Sequence, residues 1–183
     1  MQTVTINDYK ISIQEAPDYP WYSYDSKNYD KVLHLVGDED FTRTILLTIK
    51  QIRQEKKVVL VVPYYTIVDN CALPAGDRLF LMLNDLLCLF NLESLDIYKQ
   101  QKLDTIGMMI APFPYKQDFI LYGELDVFRV TNELSIQWQF SGKDIFVSRD
   151  DDTAAFEMKS DRICLCDFEG DHYEIGYDGK MIR

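Results

Sequence analysis

The densest gathering of reactive side chains in the sequence is Cys164 and Cys166, followed closely by Asp167, Glu169, Asp171 and His172. On a strand, residues two apart face the same way, so both thiols could meet one metal ion or form a redox pair. A zinc site would need further ligands, and His172 is the one histidine nearby. The matching face of related segments is apolar, which favours core cysteines. Asp167-x-Glu169-x-Asp171 with Asp178 imitates an oxygen-ligand calcium loop. The glycine such a loop needs at its sixth position is replaced by His172, so the segment reads as a polar turn. His34 lies between Leu33 and Leu35 and reads as a structural histidine on the polar face of a strand. Asp150, Asp151 and Asp152 could gather a cation, or form a solvated loop. There is no Gly-x-Ser-x-Gly elbow, no phosphate-binding loop and no dinucleotide fingerprint among the eight glycines. The sequence assigns no catalytic, cofactor or metal residue, and leans against an enzyme.

A different chemistry belongs to the segment carrying Tyr19, Trp21, Tyr22, Tyr24 and Tyr29 between Ser, Asp and Asn residues. Tyrosine and tryptophan give large contact area at low entropic cost, and short polar residues adapt their hydrogen bonds, the mixture binding surfaces favour. The competing reading is that these rings cover the N-terminal sheet with their hydroxyls in water. With thirty acidic against nineteen basic residues the net charge is −11. That field repels nucleic-acid phosphates and steers a basic protein, a cationic ligand or a metal ion inward. The candidate partner-binding residues are therefore the five aromatics and Asp150, Asp151 and Asp152.

The elements that must position these groups follow from pattern. At 183 residues and 47% hydrophobic content the chain can bury a core. Thr3–Ile6 and Tyr9–Ile13 alternate around Asn7-Asp8, a hairpin signal. Val32–Val36 is a strand closed by Gly37. Phe41, Ile45, Ile49 and Ile52 recur at helical spacing behind the capping residues Asp38 or Asp40, so a helix is expected over about 38–56. Lys57–Val62 is a β-branched run, completing a βαβ unit with parallel strands. No basic, apolar leader opens the sequence, and Val58–Val62 and Leu79–Leu83 are too short to span a bilayer. No membrane association is expected. Cys71, Cys88, Cys164 and Cys166 read as reduced thiols of a cytoplasmic protein.

The second half repeats. Strand, tight turn, strand, polar corner and strand recur three times, with corners at 91–94, 131–133 and 167–171. Leu89, Phe128 and Leu165 fall in register, about 39 and 37 residues apart. Leu79–Phe90 also fits helical spacing, and its match to the other units favours a hairpin. Phe119-Ile-Leu-Tyr, Val127-Phe-Arg-Val and Ser135-Ile-Gln-Trp resemble β-propeller blades of the quinoprotein-like and WD-like kinds over about 77–180. Three units are too few to close a ring, and no Gly-His or Trp-Asp signature is present. The resemblance therefore implies an open or sandwiched antiparallel meander. The segments 138–146 and 163–175, with Asp178-Gly179, are similar in style to small acidic bacterial toxin-immunity proteins.

Together these readings give an α+β, β-rich protein. Residues 1–70 form an α/β segment, and residues 77–183 form repeated hairpins packed with it as one compact unit. The expected function is a protein-binding module, an immunity or inhibitor protein that occludes a basic partner. The alternatives are a small-molecule or metal-dependent enzyme using Cys164, Cys166 and His172, and a structural module of a larger assembly.

Overall fold

The computed structural model of the protein describes residues 1–16, 19–20, 22–23, 27–37, 41–149 and 154–182. These residues form sixteen strands and no helix. The chain divides into two compact units, Met1–Leu103 and Asp104–Arg183. Each unit holds two sheets.

In the first unit, β1 (Gln2–Ile6), β2 (Tyr9–Glu15), β3 (Lys31–His34), β4 (Thr42–Gln51) and β5 (Gln54–Pro63) form a sheet in the order β1-β2-β4-β5-β3. The fold is all β, not α+β. The expected helix is overturned by β4, which pairs antiparallel with β5 from Thr42↔Pro63 to Gln51↔Gln54. A spacing of four residues satisfies a helical turn and also two full periods of a strand. Ile45, Leu47 and Ile49 point into the core at strand spacing, while Phe41 and Ile52, the ends of the supposed helical stripe, are 86% and 92% exposed. Thr42, Thr44, Ile45, Thr48 and Ile49 are β-branched, which favours the pleated conformation. β3 lies parallel to β5, from Lys31↔Val58 to His34↔Val61, and the chain between them runs through β4.

The second sheet is β6 (Ala72–Ala75), β7 (Arg78–Leu83), β8 (Leu86–Asn91) and β9 (Asp96–Lys102), paired antiparallel in that order. Leu79–Phe90 is thus the β7–β8 hairpin. One core joins the sheets: Ile11, Ile13, Ile45, Leu47, Leu60 and Val62 pack with residues that include Leu79, Leu81 and Phe90. The opposite face of the first sheet is covered from its own chain. Tyr19 and Ala16 are buried against Val59, with Tyr29, Val32 and Leu46 around them.

In the second unit, β10 (Met109–Tyr115), β11 (Asp118–Gly123), β12 (Asp126–Thr131) and β13 (Ile136–Ser141) form the third sheet. The fourth contains β14 (Phe156–Met158), β15 (Arg162–Cys166) and β16 (His172–Gly176). Their shared core includes Ile120, Tyr122, Val127, Phe146, Ile163, Leu165, Tyr173 and Ile175. The repeats are therefore three separate sheets, not one meander. β6 and β10 each add a strand ahead of the hairpin. Their Pro74, Pro112 and Pro114 obscured them in the sequence, but both strands lie at sheet edges, where a missing amide is tolerated.

The polar corners share one construction. Asn91 Oδ1 accepts the amides of Glu93 and Ser94, each at 2.9 Å. Thr131 Oγ1 accepts those of Glu133 and Ser135, and Asp167 Oδ1 accepts that of Asp171 at 2.9 Å. Each turn then passes through the left-handed region, at Leu95 (φ 56°), Leu134 (φ 61°) and Gly170 (φ 90°). Leucine is disfavoured there, and burial of both leucine side chains offsets the cost.

Leu60 is fully buried in the first unit's core. Leu60→Ala should destabilise that unit by about 2–5 kcal/mol, because the cavity adds to the lost transfer energy. Chemical denaturation with probes in each unit would measure this. A loss under 1 kcal/mol, on the order of one exposed contact, would contradict the packing described.

Candidate functional site

An open, largely apolar cleft of the first unit lies where β3 and β5 end and β4 begins. The backbone amide of Tyr64 donates to Phe41 O at 2.9 Å, which holds the two ends together. Phe41, Tyr64 and Tyr65 are all well exposed, and they line a cleft of about 420 Å³ with Leu35, Val36 and Pro63. The tyrosine rings stand nearly perpendicular, at 84° with centroids 5.5 Å apart. Such an edge-on arrangement gives the cleft two walls at right angles. Asp85, from the β7–β8 turn, and Lys102, at the end of β9, line the same cleft and pair at 3.3 Å. That turn is fixed by Asn84 in the left-handed region and by the Leu103 amide donating to Asp85 O at 2.7 Å.

Beside the cleft, Arg43 is held on three sides. It donates to Thr66 O at 2.7 Å, pairs with Glu15, and lies 5.8 Å from the centre of the Tyr64 ring.

The residues singled out in the sequence fall elsewhere. Tyr19 is a core residue: its ring meets Tyr29 edge-on at 5.4 Å and its hydroxyl donates to Ser23 O at 2.7 Å. Tyr29 is half-buried beside it. Tyr22 is 66% exposed. Trp21, Tyr24, Asp150, Asp151 and Asp152 lie outside the described residues, as do Asp38 and Asp40, the expected helix caps. The structure thus brings Tyr19 and Tyr29 together as a cover for the first sheet.

Phe41, Tyr64 and Tyr65 were missed as a group. Phe41 falls on the helical stripe, and Tyr64-Tyr65 follow the β-branched run that ends at Val62. No strand pattern signals them: Tyr64 and Tyr65 lie in the turn that follows β5, and their rings meet at 5.5 Å instead of alternating.

The cysteine cluster does not assemble. Among the described residues no group of three or more metal-ligating side chains converges. Cys166 is buried, its thiol donating to Asp167 O at 3.5 Å, while Cys164 is half-buried and faces Glu157 and Glu174 in register across its strand. His172 is exposed opposite Cys166. His34 Nε2 lies 3.2 Å from Ser23 O. Asp167 is a buried structural acid. Burial pushes its carboxyl up, but the Tyr173 hydroxyl at 2.6 Å and the amides of Asp171, Glu169 and Gly170 outweigh that, leaving its pKa below the ordinary value. Asp171 pairs with Lys143, and Glu169 with Arg149. Cys71 and Cys88 are buried in the first unit, and burial raises both thiols to about 12.

No known family model matches the sequence, and no curated protein matches it. Solved structures do resemble it. BamB from Moraxella catarrhalis matches at 12% identity and TM-score 0.50, over 100% of this chain and 62% of that one. The AfRom2 CNH domain matches at 11% identity and TM-score 0.48, over 96% and 50%. Kluyveromyces lactis Hsv2 matches at 10% identity and TM-score 0.36, over 79% and 60%. The chain spans less than two thirds of each. The likeness to BamB shows a β-propeller-like fold, and at this identity it shows the fold alone.

Two measurements check these assignments. A thiol reagent at mildly alkaline pH should modify Cys164 first and reach Cys71 and Cys88 only on unfolding, because the thiolate is the reactive form. Rapid native modification of either buried thiol would contradict their placement. Asp167→Asn should cost roughly 1–3 kcal/mol near neutral pH. Because the folded pKa is depressed, the carboxylate's contribution is complete above about pH 4, the unfolded value, and fades as pH falls below it. The gap between wild type and variant should therefore narrow in acid. A gap that is constant with pH would show that the charge does not matter.

Proposed function

We propose that the protein is a non-enzymatic binding module that docks a basic partner protein through the cleft of Phe41, Tyr64 and Tyr65. The observation that carries this reading is the exposure of three large aromatic rings around one cleft. Contiguous exposed apolar surface marks interaction sites, whereas singly exposed rings do not, and buried aromatics dominate interface energetics. The net charge of −11 supplies the steering field and favours a partner of opposite sign.

The β-propeller-like fold is compatible with a binding or structural module and carries no chemistry of its own. An enzyme built on Cys164, Cys166 and His172 fits less well. The Cys166 thiol donates to a backbone carbonyl, and among the described residues no group of three or more metal-ligating side chains converges. The finer reading is an immunity or inhibitor protein that acts by occlusion in the bacterial cytoplasm. The acidic charge supports it, as do four free cysteines, which suit a reducing compartment.

Cross-linking in native lysate, followed by mass spectrometry, tests the proposal. Wild type should capture a protein of net positive charge, with cross-links bordering the cleft and yield falling as salt rises. Phe41→Ala, Tyr64→Ala and Tyr65→Ala together should abolish capture, since each central aromatic contributes about 1–4 kcal/mol. Capture of the same proteins by the triple variant, or partners with no basic character, would overturn it.

A further inference from the structure

Among the described residues, acid, guanidinium and aromatic ring occur together four times. Arg43 pairs with Glu15 and lies 5.8 Å from the Tyr64 ring centre. Arg78 approaches Asp77 at 3.8 Å and stacks over Tyr98 at 3.8 Å. Arg129 bridges Asp118 at 2.6 Å and lies 5.1 Å over Tyr115. Arg149 bridges Glu169 at 3.1 Å and lies 4.2 Å over Phe168. A planar guanidinium can do both at once, presenting N–H groups to a carboxylate and a face to a ring, whereas a hydrated ammonium does this poorly.

The cleft holds the first and last members of such a set without the middle one. Asp85 supplies the acid, and Tyr65 and Phe41 supply the rings. Among the described residues no guanidinium lies over either ring. The present partner of Asp85 is Lys102, which is 77% exposed. An exposed ammonium pair contributes little net stability, so an incoming guanidinium displaces it at small cost.

We propose that the cleft is an arginine-reading subsite, in which one arginine side chain of the partner protein stacks against Tyr65 and Phe41 and donates to the Asp85 carboxylate. The inference rests on the protein-binding reading above and specifies what that partner must present. Lys102 is then a gatekeeper: it neutralises Asp85 in the free protein and leaves when arginine enters.

Side-chain NMR titration of the full chain with N-acetyl-glycyl-arginyl-glycinamide, and with its citrulline and lysine counterparts, tests this. Arginine should give saturable shifts at Phe41, Tyr64, Tyr65 and Asp85. Citrulline is isosteric and uncharged, and should bind at least about ten-fold more weakly; lysine should fall between. Asp85→Asn and Tyr65→Ala should each weaken arginine binding about ten-fold, and Lys102→Gln should strengthen it. Citrulline binding as well as arginine, or the absence of saturable shifts at these residues, would overturn the proposal using wild-type protein alone, whatever the variants do to folding. The two readings fail differently. A partner captured at the cleft together with indifference to arginine would sink only the arginine assignment. Arginine selectivity with no captured partner would sink only the protein-docking reading.

Discussion

Burial of β5 on both faces is the constraint that organises the first unit. Val58, Val59, Leu60, Val61 and Val62 are all essentially inaccessible to water, so successive side chains on opposite faces of one strand both need apolar cover. The second sheet covers one face through Leu79, Leu81 and Phe90. The other face has no sheet of this unit against it and takes its cover from Ala16, Tyr19 and Tyr29. This explains why a segment with the composition of a binding loop is partly consumed as lining. It also explains the parallel edge strand, since β3 extends the sheet beyond β5 and places Val32 in that same cover.

The fourth sheet, in the second unit, shows the opposite solution. Ile163, Leu165, Tyr173 and Ile175 of the fourth sheet face the shared core. On the other side of the same strands Glu157, Cys164 and Glu174 form a cross-strand row, and Arg162 bridges Glu174 at 2.6 Å. That alternation leaves the far face polar around Cys164, which is half-buried. The third sheet is different again. Phe119, Leu121, Phe128 and Val130 are buried on the face turned away from the shared core. Alternation within each strand thus sets which faces are dry.

Legibility in the sequence follows from how local each signal is. The Asn7-Asp8 and Asn84-Asp85 turns were readable because asparagine tolerates the left-handed conformation both positions adopt. The polar corners were readable because a side-chain oxygen must serve the amides just after it. β4 was not, because Ile45 and Ile49 satisfy two periods at once, and Phe41 and Ile52 at the ends extend the helical one although both are exposed. The cleft was least readable. Phe41 and Tyr64 meet only because Thr42 pairs with Pro63, and no local pattern encodes a strand register between distant residues.

The cleft's chemistry follows from how the protein spends its own cations. Of the seven arginines, Arg43, Arg78, Arg129, Arg149 and Arg162 each already face a carboxylate. Several lysines do the same, including Lys31 with Asp96 and Lys143 with Asp171. With thirty acids against nineteen bases, pairing leaves a surplus of acid and no comparable surplus of guanidinium. Long-range attraction at physiological salt fades beyond about 8 Å, so net charge brings a basic surface near without choosing its orientation. Orientation has to come from contacts at close range that need a shape as well as a charge. Perpendicular tyrosine walls beside a carboxylate held on the β7–β8 turn provide that, and they do so where Phe41, Tyr64 and Tyr65 are all exposed around one cleft.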